Sequence, residues 1–249
     1  MERYGFGHFA AAKCIDWIKG WFEKNGNGNN AIVGISGGID STVVAALCTK
    51  ALGESRVIGV LMPNHVQDDI DYAHTVVNSL RIRQYKVNIG AAVDSVYNAM
   101  ESAHMDISEQ TRTNLPARIR MAMLYAVSQS KNGRVANTCN FSEDYIGYST
   151  RYGDSVGDFA PIADFTKSEV IEIGYALGLQ EHLMEKAPTD GLCGKTDEEN
   201  LGFTYAVLDK YIRTGICDDP AVQKKIDFLH KKNQFKMAPM PSFRFHNVF

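Results

Sequence analysis

The stretch AIVGISGGIDS, Ala31 to Ser41, runs through small and β-branched residues without a charge, then stops at a serine, two glycines, an aspartate and a second serine. An unbroken apolar run of this length is what a strand buried on both faces of a parallel sheet requires. Gly37 and Gly38 carry no Cβ, so the chain can turn sharply there and pass close to a ligand. A helix is expected next, through Val43, Val44, Leu47 and Ala51. Its first N–H groups would point back into the turn, where an anion accepts them and the helix dipole favours negative charge.

The turn is not a Walker A loop, because no Gly-Lys-Ser/Thr closes it and it holds no lysine. Asp40 stands there instead. A carboxylate beside a polyphosphate is repelled unless a divalent cation lies between them, so Asp40 implies Mg²⁺ on the outer phosphates. The plain alternative is a glycine turn with a capping Ser and Asp; the strand before it and the helix after it favour the functional reading.

Outward from this loop the pattern repeats. An amphipathic helix from Phe9 to Phe22 precedes it, ended by the Gly/Asn-rich Asn25 to Asn30. After Gly53 comes a second buried strand, Val57 to Met62, then a helix from Asp69 to Leu80 and a third strand from Tyr85 to Ile89. Helices from Ala91 to about Ala103 and from Pro116 to about Gln129 are expected next, the second capped by Asn114, with Arg134 to Thr138 as fourth strand. Such βαβ repetition predicts an α/β fold, a doubly wound parallel sheet with helices on both faces and right-handed crossovers. Ligands of such sheets bind where the strand order reverses. That placement brings the turn after Ser36 beside the turn after Thr138, so Asp40 and Glu143 would converge on one Mg²⁺. By itself, Glu143 also reads as a first-turn helix acid.

Thr166 and Glu169 fit a capping box for a helix from Lys167 to Leu177 that ends at Gly178. Lys167 then sits in a first turn, unfavourable for a cation unless an anion approaches it, and a phosphate is the expected partner. Ala187 to Lys195 reads as a lid or connection, Asp197 to about Arg213 and Ala221 to Asn233 as helices, and the chain from Phe235 onward as irregular.

With 249 residues and 45% hydrophobic content the chain can bury one sizeable core, and residues 1–249 are expected to form a single domain. A net charge of −3 without Lys/Arg blocks argues against a broad nucleic-acid surface. No apolar run approaches the roughly 18 residues of a membrane span, and a cytoplasmic location is expected. The five cysteines, at 14, 48, 139, 193 and 217, form no CxxC and suggest neither disulfides nor zinc.

Ser36 to Ser41 resembles the pyrophosphate loop of the N-type ATP pyrophosphatases, which adenylate a substrate by cleaving ATP between its α and β phosphates. The whole chain is similar to the ammonia-dependent NAD synthetases. Asn114 to Met121, NLPARIRM, resembles their N-x-x-A-R-x-R-M helix; Thr138 to Gly147 resembles the segment with an ATP-contacting threonine and a Mg²⁺-binding glutamate; and Arg151 with Tyr152-Gly153-Asp154 resembles the YGD segment. The resemblance implies ATP contacts at Gly34, Ile35, Ser36, Gly37, Gly38, Ile39, Asp40, Ser41, Thr138, Lys167 and Thr189. It implies deamido-NAD contacts at Arg120, Arg151, Asp158, Phe235 and Lys236, Mg²⁺ at Asp40 and Glu143, and catalysis by Asp40, Glu143 and Lys167. A homodimer touching through the Arg118 to Gln129 helix, and free ammonia as nitrogen source, are implied too. Departures occur at Asn137, where the family commonly has glycine, at Arg151, which replaces a frequent lysine, and in Pro188 to Leu192, whose acidic residue is shifted by one.

Overall fold

In the computed structural model, which describes residues 3–185 and 196–243, the apolar run is strand β1, Asn30–Gly34, preceded by helix α1, Arg3–Asn25. Helix α2, Ile39–Leu52, follows the glycine turn, and then come β2 (Val57–Leu61), α3 (Ile70–Ser79), β3 (Arg83–Lys86), α4 (Gly90–Ser102), α5 (Glu109–Ser130) and β4 (Gly133–Val135). The remainder is helical: α6 (Phe141–Ile146), α7 (Lys167–Ala176), α8 (Glu181–Met184), α9 (Asp197–Leu201), α10 (Tyr205–Thr214) and α11 (Pro220–Met237).

The strands are parallel and lie in the order β3-β2-β1-β4, so the direction of winding reverses between β1 and β4. Alternation along the strands sorts side chains to two faces. Ala31, Val33, Val57 and Leu61 enter a core shared with α1, α2, α3 and α7, whereas Ile32, Ile58 and Val60 meet α4 and α5. Helices on both faces explain why β1 and β2 carry no alternation of polar residues. A third apolar group, Ile146, Leu201, Phe203, Tyr205, Leu208 and Ile226, joins α6 to α9, α10 and α11. It stands apart from the sheet and carries the walls of the site.

Several boundaries differ from expectation for identifiable reasons. Helix α5 starts seven residues before Pro116 because Ser108 caps it, its Oγ accepting from Thr111 N at 3.1 Å. Pro116 is therefore interior and cannot bond the carbonyl of Arg112, which instead accepts from the Tyr97 hydroxyl at 3.2 Å. Asn114 caps nothing; its Oδ1 accepts from Thr150 Oγ1 at 2.7 Å. The third strand lies at Arg83–Lys86 rather than Tyr85 to Ile89, because its ladder with β2 ends at Lys86, although Val87 N still donates to Leu61 O at 2.8 Å and Ile89 N to Pro63 O at 2.9 Å. The fourth ends at Val135, although Ala136 still bridges Phe159 in parallel. The single helix expected from Asp197 to Arg213 is two, divided at Gly202, which has φ +72°. Helix α11 continues to Met237, so the chain is regular three residues into the stretch expected to be irregular. The expected lid, Ala187 to Lys195, including Thr189, lies outside the described residues.

Candidate active site

Gly37 has φ +82°, and a Cβ there would lie 2.8 Å from Tyr72 Cβ and 2.9 Å from Ala73 N. Only glycine fits where this turn presses against α3. The turn is also laced by its serines: Ser36 Oγ and Ser41 Oγ lie 3.1 Å apart, and Gly38 N donates to Ser36 Oγ at 3.1 Å. No side chain caps α2 at Gly38. The first turn of α2 is thereby left as an anion-binding end, with Asp40 at its second position.

Asp40 faces two partners from the chain after β4. Its Oδ1 accepts from Asn140 Nδ2 at 3.0 Å, and its Oδ2 accepts from Lys167 Nζ at 2.5 Å. The Lys167 ammonium also lies 3.8 Å from Glu143 Oε1. Asn140 caps α6: its Oδ1 accepts from Glu143 N at 3.0 Å, and Glu143 Oε2 accepts from Asn140 N at 3.4 Å. Glu143 is therefore both the first-turn acid of a capping box and a wall of the cluster. Burial pushes its carboxyl well above the usual carboxylate range, the charge of Asp40 adds to this, and Lys167 opposes it.

Lys167 is only 4% exposed. Burial pulls its ammonium down, but Asp40 and Glu143 more than offset that and hold it charged. Two carboxylates of the chain itself thus stand beside this first-turn cation. Behind it lies the Tyr205 ring, whose centroid is 5.5 Å from Nζ, and the Tyr205 hydroxyl donates to Asp197 Oδ2 at 3.3 Å. Thr138 is half-buried in the turn between β4 and α6. Two carboxylates of a hard donor set, reached from separate loops, suit a divalent cation. Among the described residues no third carboxylate, His or Cys completes a metal cluster, so substrate phosphates and water would have to supply the remaining ligands.

Of the second group of expected residues, Asp158 and Lys236 line a cleft of about 700 Å³ beside α6, together with Asp144, Tyr145 and His230 among others, while Arg120, Arg151 and Phe235 do not line it. Lys236 Nζ donates to Gly147 O at 2.8 Å and to Ser149 O at 3.1 Å, fastening α11 to the C-terminal end of α6. Arg151 stacks over Phe235, with 5.5 Å between guanidinium carbon and ring centroid. Asp158 lines the cleft while its Oδ2 accepts from Val135 N at 2.7 Å. Arg120 shares a partner with Lys236, since the Asp154 carboxylate acts on the charge of both. Its Nε donates to Met62 O at 3.1 Å, just past β2, and burial lowers its pKa while Asp154 opposes the shift.

Sequence reasoning passed over Asn140, Asn137, Ser142 and Asp209. Asn140 was legible, since Asn-x-x-Glu is a capping-box spacing. Asn137, the departure from the family, braces the following loop: its Nδ2 donates to Asp154 O and Val156 O, both at 3.3 Å. Asp209 joins the site only through the fold.

The NAD synthase family model matches residues 10–240. The chain belongs to the NAD synthase family. An NH3-dependent NAD synthetase of Pyrococcus horikoshii is 39% identical over 201 residues, 80% of this chain and 77% of that protein. Among solved structures, NMN synthetase from Francisella tularensis superposes with a TM-score of 0.88 at 29% identity, covering 98% of this chain and all of that one. An NH3-dependent NAD synthetase from Campylobacter jejuni gives 0.77 at 28% identity, covering 98% and 99%. The chain is accordingly an enzyme of the NAD synthetase type, a ligase of a family that uses ATP and deamido-NAD. No described helix is long and apolar enough to cross a membrane.

Proposed function

We propose that this chain, as one catalytic domain over residues 1–249, amidates the nicotinate carboxyl of deamido-NAD with ammonia through an acyl-adenylate. A carboxylate oxygen attacks the α-phosphorus of ATP, and the bond to the β-phosphate breaks with its electrons leaving on pyrophosphate. Ammonia then attacks the acyl carbon; the nitrogen loses a proton, the acyl–oxygen bond breaks, and AMP departs. The observation that carries this reading is the meeting of Asp40, Glu143 and Lys167 where the strand order reverses.

The N–H groups opening α2 hold phosphate oxygens, and Lys167 gives its charge to the polyphosphate as pyrophosphate separates. Asp40 and Glu143 would hold Mg²⁺, which when bound offsets charge on the leaving group. Lys236, Arg151, Phe235 and Asp158 hold the nicotinic substrate beside α6, and Arg120 reaches it from α5. The chain is cytoplasmic and has no nucleic-acid partner in this reading. Product analysis tests the chemistry: AMP and pyrophosphate should form in step with the amide, and stoichiometric ADP would refute it.

A second reading has one observation in its favour. The superposition on NMN synthetase, at 0.88 with full coverage, exceeds that on the Campylobacter enzyme, at 0.77. In that reading the preferred acid is nicotinate mononucleotide, with the same adenylation. Comparing kcat/KM for the mononucleotide and for deamido-NAD at saturating ATP and ammonium decides between them.

A further inference from the structure

We infer that Asp209 is a positioning residue that holds Lys167 and Glu143 in register for adenylation. This deepens the proposed function and rests on its reading of Lys167. Asp209 is only 6% exposed and comes from α10, outside the two loops that form the cluster. Its Oδ1 accepts from Ser142 Oγ at 2.5 Å, and its Oδ2 accepts from Ser168 N at 2.8 Å and Ser168 Oγ at 2.6 Å. Ser142 Oγ in turn accepts from Lys167 N at 3.0 Å. One carboxylate thus ties the second residue of α6 to the second residue of α7. The sequence neighbours of those partners are Glu143 and Lys167.

The neighbours of Asp209 on α10 reinforce the point. Residues four apart share a helix face, and Tyr205, Asp209 and Arg213 form such a row. Tyr205 places its ring behind the Lys167 ammonium. Arg213 donates from Nε to Glu169 Oε1 at 2.9 Å and from Nη2 to Asp164 O at 2.7 Å, gripping the capping box of α7. All three grasp the same helical turn. A buried carboxylate accepting three hydrogen bonds fixes geometry more tightly than neutral groups can. An ångström of drift in a catalytic group costs on the order of 100-fold in rate.

The test is a cycle of Asp209→Asn, Lys167→Ala and the double variant, measuring kcat, KM for ATP and KM for the nicotinic substrate, with thermal unfolding as a check on folding. Asp209→Asn is expected to lower kcat by about 10- to 100-fold while KM for the nicotinic substrate stays within about threefold. The double variant should lose clearly less than the product of the two single losses, because part of what Asp209 does is done through Lys167. Ser142→Ala, which keeps the carboxylate, should lower kcat in the same direction and serves where Asp209→Asn does not fold. Full activity in Lys167→Ala would overturn the reading of Lys167 and with it this inference. A crippled Lys167→Ala beside a folded, fully active Asp209→Asn, or beside a fully active Ser142→Ala where Asp209→Asn does not fold, would overturn the role of Asp209 alone, as would additive losses in the cycle.

Discussion

Lys167 lies buried between Asp40 and Glu143, so its ammonium has one carboxylate more than charge balance needs. That surplus separates stability from activity. In Asp40→Asn the remaining acid, no longer opposed by the Asp40 charge, can ionise beside the lysine. The variant should lose only about 1 kcal/mol of stability while its turnover collapses. Urea unfolding together with initial rates checks this, and an equal collapse of both would mean that Asp40 is structural. The thiols give a second expectation. Burial pushes Cys14 up to about 11 and Cys48 up to about 12, and Cys139 is also raised well above its usual value, first by burial and then by Glu143. Of the described cysteines, only half-buried Cys217 should take up iodoacetamide in the native protein, read by peptide mass mapping. Asp154 supplies a pH test. Burial raises its carboxyl above the ordinary 3.8, against a backbone hydrogen bond from Thr150. The folded chain keeps this proton where the unfolded chain has lost it, so the contribution is full below that value and fades as pH rises through the folded pKa. Asp154→Asn should therefore flatten the decline in unfolding free energy as pH rises above about 4, relative to the parent chain. Among these residues, Asp40 was legible from the glycine turn around it and Lys167 from its place behind a capping box, whereas Glu143 by itself read as a helix acid and its role rested on the resemblance. Asp209 was not legible, because it is an ordinary helix acid until tertiary structure brings two serines to it.

At the level of elements, the strands flanking the glycine turn were readable because burial on both faces leaves an uninterrupted apolar run. The helical second half was legible in part: α7 and α11 stand close to their expected bounds, while the helix expected from Asp197 to Arg213 is divided at Gly202. Helix ends are set by short-range capping that competes among neighbouring candidates, as Ser108 and Asn114 show in α5. Helix α6 is too short for a periodic signal and is recognisable only by its cap. The turn before α2 makes the sharpest prediction at this scale. Gly37→Ala would place a Cβ against α3 and a non-glycine residue at φ +82°, costing on the order of 1–3 kcal/mol. ATP-dependent turnover should fall at least about 100-fold, because the N–H groups of α2 move with the turn. Rates with ATP beside thermal unfolding would reveal it, and unchanged turnover would remove the turn from the phosphate site.

At the scale of the molecule, α5 is 22 residues long, yet its buried residues are Pro116, Ala117 and Ser128. Ile119 and Met123 are half-covered by the second core, and Ala126 is exposed. That uncovered length suits the homodimer that the family resemblance implies, and sedimentation at micromolar concentration should show two copies; a fully active monomer would refute it. The nitrogen source is tested on the same preparation. Ammonium should support amide formation, and glutamine free of ammonia should support little, because no described cysteine of this site is activated for attack on an amide. Helix α6 has a further consequence. Its first turn carries Glu143, while its far end supplies the Gly147 carbonyl that receives Lys236. Six residues at 1.5 Å each make a rod of about 9 Å, with the proposed nucleotide triphosphate site at the Glu143 tip and Lys236 of the proposed nicotinic acid site at the other. In the proposed function the rod would act as a spacer gauge between two reactants that must touch. One residue inserted into it would turn one tip by about 100° against the other. Each substrate should then still bind alone, measured by calorimetry, while the adenylate joining them no longer forms.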